Sequence, residues 1–231
     1  MMSPITPDEW QALALSLRIG LLSVLVSLPF ALGLAWLLSR ARFPGRLLVE
    51  ALLFLPLTLP PVVTGYALLV LFGRHGWIGE WLAEIGIVFA FRWTGAVLAA
   101  CVMGFPLLVL SIRVAFDGVD RRLEQAAETL GASAWRRFVT IVVPLSVRGI
   151  VAGGVLAFAR AFGEFGATIT FVSSIPGETR TLPIAIYELM SLPGGEGGVQ
   201  RLTLVALAVA FAATLAAALL GGAMWGRGRH D

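Results

Sequence analysis

The chain has 231 residues, of which 58% are hydrophobic and 13% are charged, and its mean hydropathy is +0.89. Soluble globular domains carry about a quarter charged residues, so this composition excludes an ordinary water-soluble domain and indicates an integral membrane protein. All 17 basic residues are arginines, which excludes an ATPase of the P-loop type because that loop needs a lysine on the phosphates. The arginines flank apolar runs, where they set membrane orientation, so nucleic acid is not an expected partner.

Cysteine and histidine are too scarce for the usual kinds of metal site. Cys101 is the single cysteine and lies within an apolar run, which excludes a disulfide within the chain and a thiolate metal cluster. The only histidines are His75 and His230. We therefore expect no catalytic residues, no metal and no cofactor in this chain, and a membrane-embedded enzyme is disfavoured.

Five apolar runs approach or exceed the roughly 20 residues that a helix needs to cross the hydrocarbon core. They cover residues 10–38, 47–72, 93–116, 147–172 and 202–225. Segments rich in arginine follow the first, third and fifth runs, so all three lie on one side of the membrane if there are five crossings. The positive-inside rule makes that side the cytoplasm, with the N-terminus outside and the C-terminus inside. We expect one all-helical transmembrane domain over residues 1–231.

Two shorter apolar pieces, residues 81–91 and 182–190, are too short to span and predict interfacial or re-entrant helices on the outer side. A sixth crossing at 81–91 would place the arginine-rich segments on opposite sides, which argues against it. Asp8 and Glu9 stand where a signal peptide would be positively charged, so the first run is predicted to be a retained span.

The second run contains the stretch LPLTLPPVVTGY at residues 55–66. Proline removes an amide donor and clashes with the preceding turn, so a kink or break is predicted, with Pro61 as the first residue of a restarted half-helix. Freed backbone groups within a bilayer are tolerated where protein buries them or where they line a watery path, and both interpretations stay open here. The candidate residues of a translocation path or gate are Thr58, Pro60, Pro61, Thr64 and Gly65.

The stretch EQAAETLGASAWRRFVTIVVP, residues 124–144, lies within a polar loop over residues 117–145. Its first part predicts a short helix capped by Asp120 and ended by Gly131, and Ser133 predicts the cap of a second helix that leads into the fourth run. Glu124, Gln125 and Glu128 share one face of the first helix. The opposite face is small and apolar, which favours docking into a partner's groove over lying passively on lipid headgroups. That apolar stripe consists of Leu123, Ala126, Ala127 and Leu130.

The fourth run contains FARAFGEFGATITF, residues 158–171, which places Arg160 and Glu164 one helical turn apart near the membrane centre. A charge there costs at least about 2.5 kcal/mol on insertion scales, so such residues usually face a partner or an aqueous cavity. An ion pair between the two would offset part of that cost. We favour a bracing role for this pair over a gate.

The polar loop resembles the cytoplasmic loop of bacterial ABC importer permeases, whose signature is E-A-A, three residues, G, nine residues, I-x-L-P. The match consists of Gln125-Ala126-Ala127, Gly131, Ile141, Val143 and Pro144, with glutamine and valine replacing the usual first glutamate and the leucine. The resemblance implies that this helix docks into a separate subunit that binds ATP and Mg²⁺ and hydrolyses the ATP. The implied docking residues are Glu124, Gln125, Ala126, Ala127, Leu130 and Gly131.

Residues 55–79, which begin with the proline-rich stretch, and residues 158–190 resemble the molybdate importer permeases, with sulfate permeases as near relatives. This implies the type I ABC importer permease fold in a bacterial cytoplasmic membrane, and import of molybdate or tungstate by alternating access. The implied partners are two ATPase subunits, membrane lipid and an extracytoplasmic oxyanion-binding protein that docks on residues 173–183 and 73–77. Because five helices cannot enclose a path and stay packed, a second copy of the chain is also expected. A sulfate or thiosulfate permease is the alternative, and an ATP-independent secondary anion transporter is less favoured.

Overall fold

The computed structural model describes residues 5–225, and the side chains of residues 5–219. The regular structure in this part of the chain is helical, and a π-helical turn over Phe138–Val142 joins α7 to α8. The helices are α1 (Pro7–Arg40), α2 (Arg46–Thr58), α3 (Pro61–Phe72), α4 (Gly79–Glu84), α5 (Trp93–Asp117), α6 (Arg121–Thr129), α7 (Ala134–Arg137), α8 (Val143–Phe162), α9 (Gly166–Val172), α10 (Leu182–Met190) and α11 (Glu196–Trp225).

The number of apolar helices agrees with the predicted five crossings. Within the described residues, four continuous helical segments are long and apolar enough to cross a membrane, namely α1, α5, the rod from Ala134 to Phe162, and α11. The pair α2 and α3 becomes a fifth span if it is counted as one. Arg227 and Arg229, which belong to the predicted inner tail, lie outside the described residues.

The second run is broken where its prolines predict. Helix α2 ends at Thr58 and α3 begins at Pro61, and the two axes are bent by 113°. Pro61 occupies the first position of α3, where its missing N–H costs nothing, and Pro60 precedes it in an extended conformation. The second apolar run therefore forms two half-helices.

The fourth run contains a second break, and the prediction of one continuous span over residues 147–172 was wrong. Helix α8 ends at Phe162 and α9 begins at Gly166. The amide of Ala167 in the first turn of α9 donates to Glu164 Oε1 at 2.9 Å, so the side chain of Glu164 satisfies a donor that the break leaves free. A Cβ on Gly166 would lie 2.7 Å from Cβ of Pro61, so this glycine permits the close approach of α3.

The core lies where α1, α5 and α8 pack side by side, and it has an inner and an outer half. The inner half gathers Leu38, Ile112, Phe116 and Val142 around the base of α5. In the outer half, Phe171 and its neighbours bring α9 against α1, α3 and α5. Both half-helices after the breaks, α3 and α9, are thus held on the outer side of the bundle.

The two short outer helices match their predictions unequally. Helix α10 covers Leu182–Met190, as predicted for residues 182–190. Helix α4 covers only Gly79–Glu84, and the chain then turns at Gly86, whose φ is +81°. The predicted helix over 81–91 is therefore shorter and begins earlier, because a left-handed glycine ends it.

Candidate functional site

The polar loop forms the predicted helical hairpin, made of α6, a glycine turn and α7. Asp120 caps α6 by accepting a hydrogen bond from the amide of Arg122 at 2.9 Å. Gly131 has φ +81°, and the next amide, that of Ala132, donates to the carbonyl of Ala127 at 2.9 Å. Ser133 caps α7 by accepting from the amide of Arg136 at 3.3 Å. Local capping residues thus set the shape of the hairpin.

The apolar stripe of α6 points away from the rest of the chain. Leu123 is 49% exposed and Leu130 is 88% exposed, while Ala126 is exposed and Ala127 is half-buried. Gln125 is exposed beside them. Within the described residues, no apolar side chain covers Leu130 or the exposed alanine beside it. The stripe therefore offers a shallow apolar surface on which another protein could dock.

The opposite face of α6 meets the chain's own body, and Glu124 lies on it. The Glu124 side chain is 15% exposed, and its Oε1 lies 2.7 Å from Nη2 of Arg40 at the inner end of α1. Glu128 pairs with Arg137 of the hairpin's second arm. Glu124, which the resemblance places among the docking residues, thus lies on the face opposite the stripe, as the helical spacing predicts. Its partner is Arg40, from the arginine-rich segment that follows the first apolar run.

The second arm of the hairpin is anchored by an aromatic cluster. Phe138 is 7% exposed, and its ring centroid lies 5.1 Å from that of Trp36 in α1 and 6.0 Å from that of Phe116 in α5. Trp135 packs on the other side of Phe138 at 5.5 Å. Because this arm continues through the π-helical turn into α8, α7 and α8 form one rod over Ala134–Phe162.

The predicted path residues do not share one surface. Thr64 and Gly65 are buried, and a Cβ on Gly65 would lie only 2.5 Å from the carbonyl oxygen of Ala167 in α9. Thr58, Pro60 and Pro61 are exposed, and the hydroxyl of Thr58 donates to the carbonyl of Leu55 at 2.9 Å. Thr64 and Gly65 therefore belong to a tight contact between α3 and α9, which Pro61 also reaches at Gly166, whereas Thr58 and Pro60 lie on an open face of the chain.

A buried hydroxyl marks the α3 side of this contact. Thr64 is 6% exposed, and its Oγ1 has no hydrogen-bond partner among the described residues. Residue Ala167, which the sequence did not single out, supplies the facing backbone. No sequence signal identifies it, because the approach depends on how α9 is placed against α3.

The intramembrane charges form the predicted ion pair. Arg160 donates to Glu164 across one turn, and the Glu164 side chain is 2% exposed while that of Arg160 is 27% exposed. Glu164 also accepts from the amide of Ala167, so it neutralises the arginine and caps α9 with the same carboxylate. This geometry suits a brace at the break. Within the described residues, no group of three or more His, Cys, Asp and Glu side chains is arranged to hold a metal ion.

Known proteins resemble this chain in sequence and in fold. The family model for the binding-protein-dependent transport system inner membrane component matches residues 27–225. The molybdenum transport system permease protein ModB of Escherichia coli is 59% identical over 91% of this chain and 93% of its own length. The sulfate transport system permease protein CysT of the same species is 39% identical over 68% of this chain and 57% of its own. Among solved structures, this chain resembles one chain of a bacterial alginate ABC transporter, which was solved in complex with an alginate pentasaccharide-bound periplasmic protein. The two chains align with a TM-score of 0.71 and 18% sequence identity over 92% of this chain and 77% of the other. This likeness confirms the predicted fold of an ABC transporter permease.

Proposed function

Because this chain belongs to the family of binding-protein-dependent transport system inner membrane components, we propose that it is the permease subunit of an ATP-driven molybdate importer. The observation that carries this proposal is the 59% identity to a molybdenum permease along nearly the whole of both chains. Tungstate is proposed as an equivalent cargo, since the two oxyanions are alike in size and charge. The chain is a multi-pass protein of the bacterial inner membrane.

The chemical work is assigned to partner subunits. Two ATP-binding cassette subunits bind ATP and Mg²⁺, and each docks on one α6 through the exposed stripe and the neighbouring Gln125. The support for this assignment is the exposure of Leu123, Ala126 and Leu130 on the polar hairpin. Gly131 contributes by ending α6, so that the stripe stays at the tip of the hairpin.

The path is assigned to the interface between two copies of the chain. The face that carries Thr58 and Pro60 is exposed in the described chain, and Pro61 is exposed beside its contact with Gly166. A twofold-related copy would enclose it, as closed symmetry favours. At the outer end, an oxyanion-binding protein docks on residues 173–183 and 73–77. The first of these segments is tied to the start of α5, where the amide of Trp93 donates to Glu178 at 3.3 Å.

The cargo is tested by transport in a defined system. The chain is purified with the ATPase subunits encoded beside it, reconstituted in liposomes, and supplied with the oxyanion-binding protein. We expect molybdate and tungstate to stimulate ATP hydrolysis and to accumulate inside, and sulfate to do neither. Stimulation by sulfate or thiosulfate without molybdate would select the alternative cargo. Accumulation by the chain alone, without ATPase subunits, would show a secondary transporter instead.

The docking surface is tested by Ala126→Trp, which places a bulky ring on the exposed stripe. We expect the ATPase subunit to be lost from pull-downs of this variant, because the groove of the partner would have to accept a much larger side chain. Leu47→Trp is the matched control, since Leu47 is 82% exposed at the inner start of α2 and lies outside the hairpin. Equal retention of the ATPase by the two variants would show that the stripe is not the docking surface.

A further inference from the structure

Helix α6 buries none of its side chains in the core, although it is the part of the chain proposed to receive force from the ATPase. Its body-facing contacts are polar. Glu124 pairs with Arg40 at 2.7 Å, and Nη2 of Arg121 donates to the carbonyl of Ser39 at 3.1 Å. These polar contacts add to the short backbone link, residues 118–120, through which α6 follows α5.

Arg40 joins α6 to the ends of two spans. Its Nη2 donates to the carbonyl of Phe116 at 2.8 Å, and its Nη1 donates to the hydroxyl of Ser39 at 2.8 Å. Asp117 lies 3.9 Å from Nη1. One guanidinium therefore joins the end of α1, the end of α5 and the middle of α6, with a side chain that is only 14% exposed.

The charged chain continues from α5 to α2. Arg113, one turn before Asp117, lies 3.8 Å from the carboxylate of Asp117 and donates to Glu50 of α2 at 3.0 Å. Glu50 also accepts from Arg46 at 3.0 Å. A series of ion pairs thus runs from α6 to α2, the half-helix that precedes the proline break.

We infer that Arg40 is a positioning residue that couples displacement of α6 to α1, α5 and α2, through its ion pair with Glu124. This inference rests on the proposed function as an ATP-driven permease. The other half of the hairpin needs no such device, because α7 continues covalently into α8. On the α6 side the backbone leads only into α5, through residues 118–120, and Arg40 adds the connection to α1. A largely desolvated pair suits this role, since it defines one relative position of two elements where an apolar contact would let them slide.

The ion pair between α6 and Arg40 is cut most selectively by Glu124→Gln, which leaves in place the bonds of Arg40 to Phe116 and Ser39 and that of Arg121 to Ser39. We expect the variant to retain its ATPase subunit in pull-downs and to hydrolyse ATP. The amount of molybdate imported per ATP is expected to fall by a factor of about five or more, which is within the range typical of coupling between two sites. Arg40→Gln is expected to show the same defect. The double variant is expected to be no worse than either single variant, because residues that act through one another are not additive.

The matched control is Glu128→Gln, on the same helix. Glu128 pairs with Arg137 inside the hairpin, so its loss leaves the connection from α6 to α1 intact, and uptake per ATP is expected to match that of the wild type. Wild-type uptake per ATP in Glu124→Gln would overturn the inference. Additive defects in the double variant would also overturn it, because they would indicate that the two residues act independently. Loss of the ATPase from Glu124→Gln would also overturn it and assign Glu124 to docking. Failure of the wild-type complex to import molybdate with ATP would refute the proposed function itself.

Discussion

The contact between α3 and α9 leaves no room for a side chain at Gly65. A Cβ there would lie 2.5 Å from the carbonyl oxygen of Ala167, 2.8 Å from its Cα and 2.9 Å from Cβ of Thr170. The first distance is about 0.9 Å short of the 3.4 Å at which contacts become ordinary, and the nearest atoms are backbone, which cannot rotate away. Gly65→Ala must therefore push the two half-helices apart.

Overpacking of this kind costs about 1–3 kcal/mol, even though alanine favours helix by about 1 kcal/mol over glycine. We expect Gly65→Ala to lower the melting temperature of the purified complex and to slow molybdate uptake. Gly33→Ala is the matched control, because Gly33 lies within α1 and a Cβ added there would meet no neighbouring atom within 4 Å. It should be at least as stable as the wild type. A Gly65→Ala variant that melts and transports like Gly33→Ala would refute the tight contact.

Two further predictions concern ion pairs away from the hairpin. Glu164→Gln should destabilise the protein by about 3 kcal/mol in thermal unfolding, because it leaves Arg160 without its partner near the membrane centre. Arg160→Leu combined with Glu164→Gln should recover most of that loss, because no unpaired charge remains. Equal losses in the single and the double variant would contradict this. Glu9→Gln should lower the melting temperature by removing the ion pair with Arg201 at 2.7 Å, which ties the start of α1 to α11. Asp8→Asn, at an exposed neighbouring position, is its control, and indistinguishable melting curves for the two variants would show that the pair contributes nothing measurable.

The two breaks in the spans show which features local sequence can predict. Consecutive prolines disfavour a continuous helix at residues 60 and 61 through their own ring geometry, so a kink or break there follows from the sequence alone. The second break has no proline. It depends on Glu164 capping α9 and on Gly166 admitting Pro61 of a distant segment, and both conditions arise only once the helices are packed. The same dependence on packing explains why Thr64 is buried while Thr58, in the same stretch, is exposed.

The hairpin shows the same division between local and long-range information. Asp120, Gly131 and Ser133 act on their own neighbours, so their capping roles could be predicted from the sequence. Helical periodicity also separates the stripe of α6 from its glutamates. It cannot say which of the two faces meets the chain's own body, because the deciding partner, Arg40, belongs to the first span.

The position of Arg40 also explains how one hairpin can act on two broken spans. The covalent route leads from α7 through α8 to the break before α9, and the electrostatic route leads from α6 through Arg40 and Glu50 to the break before α3. The half-helices beyond the two breaks pack against each other at Gly65 and Ala167. Because both routes end at this one contact, a displacement of the hairpin that moved only α8 would shear α3 against α9. The ion pairs from Glu124 to Glu50 allow both half-helices to move together, which is why cutting Glu124 should reduce uptake per ATP while leaving ATP hydrolysis in place.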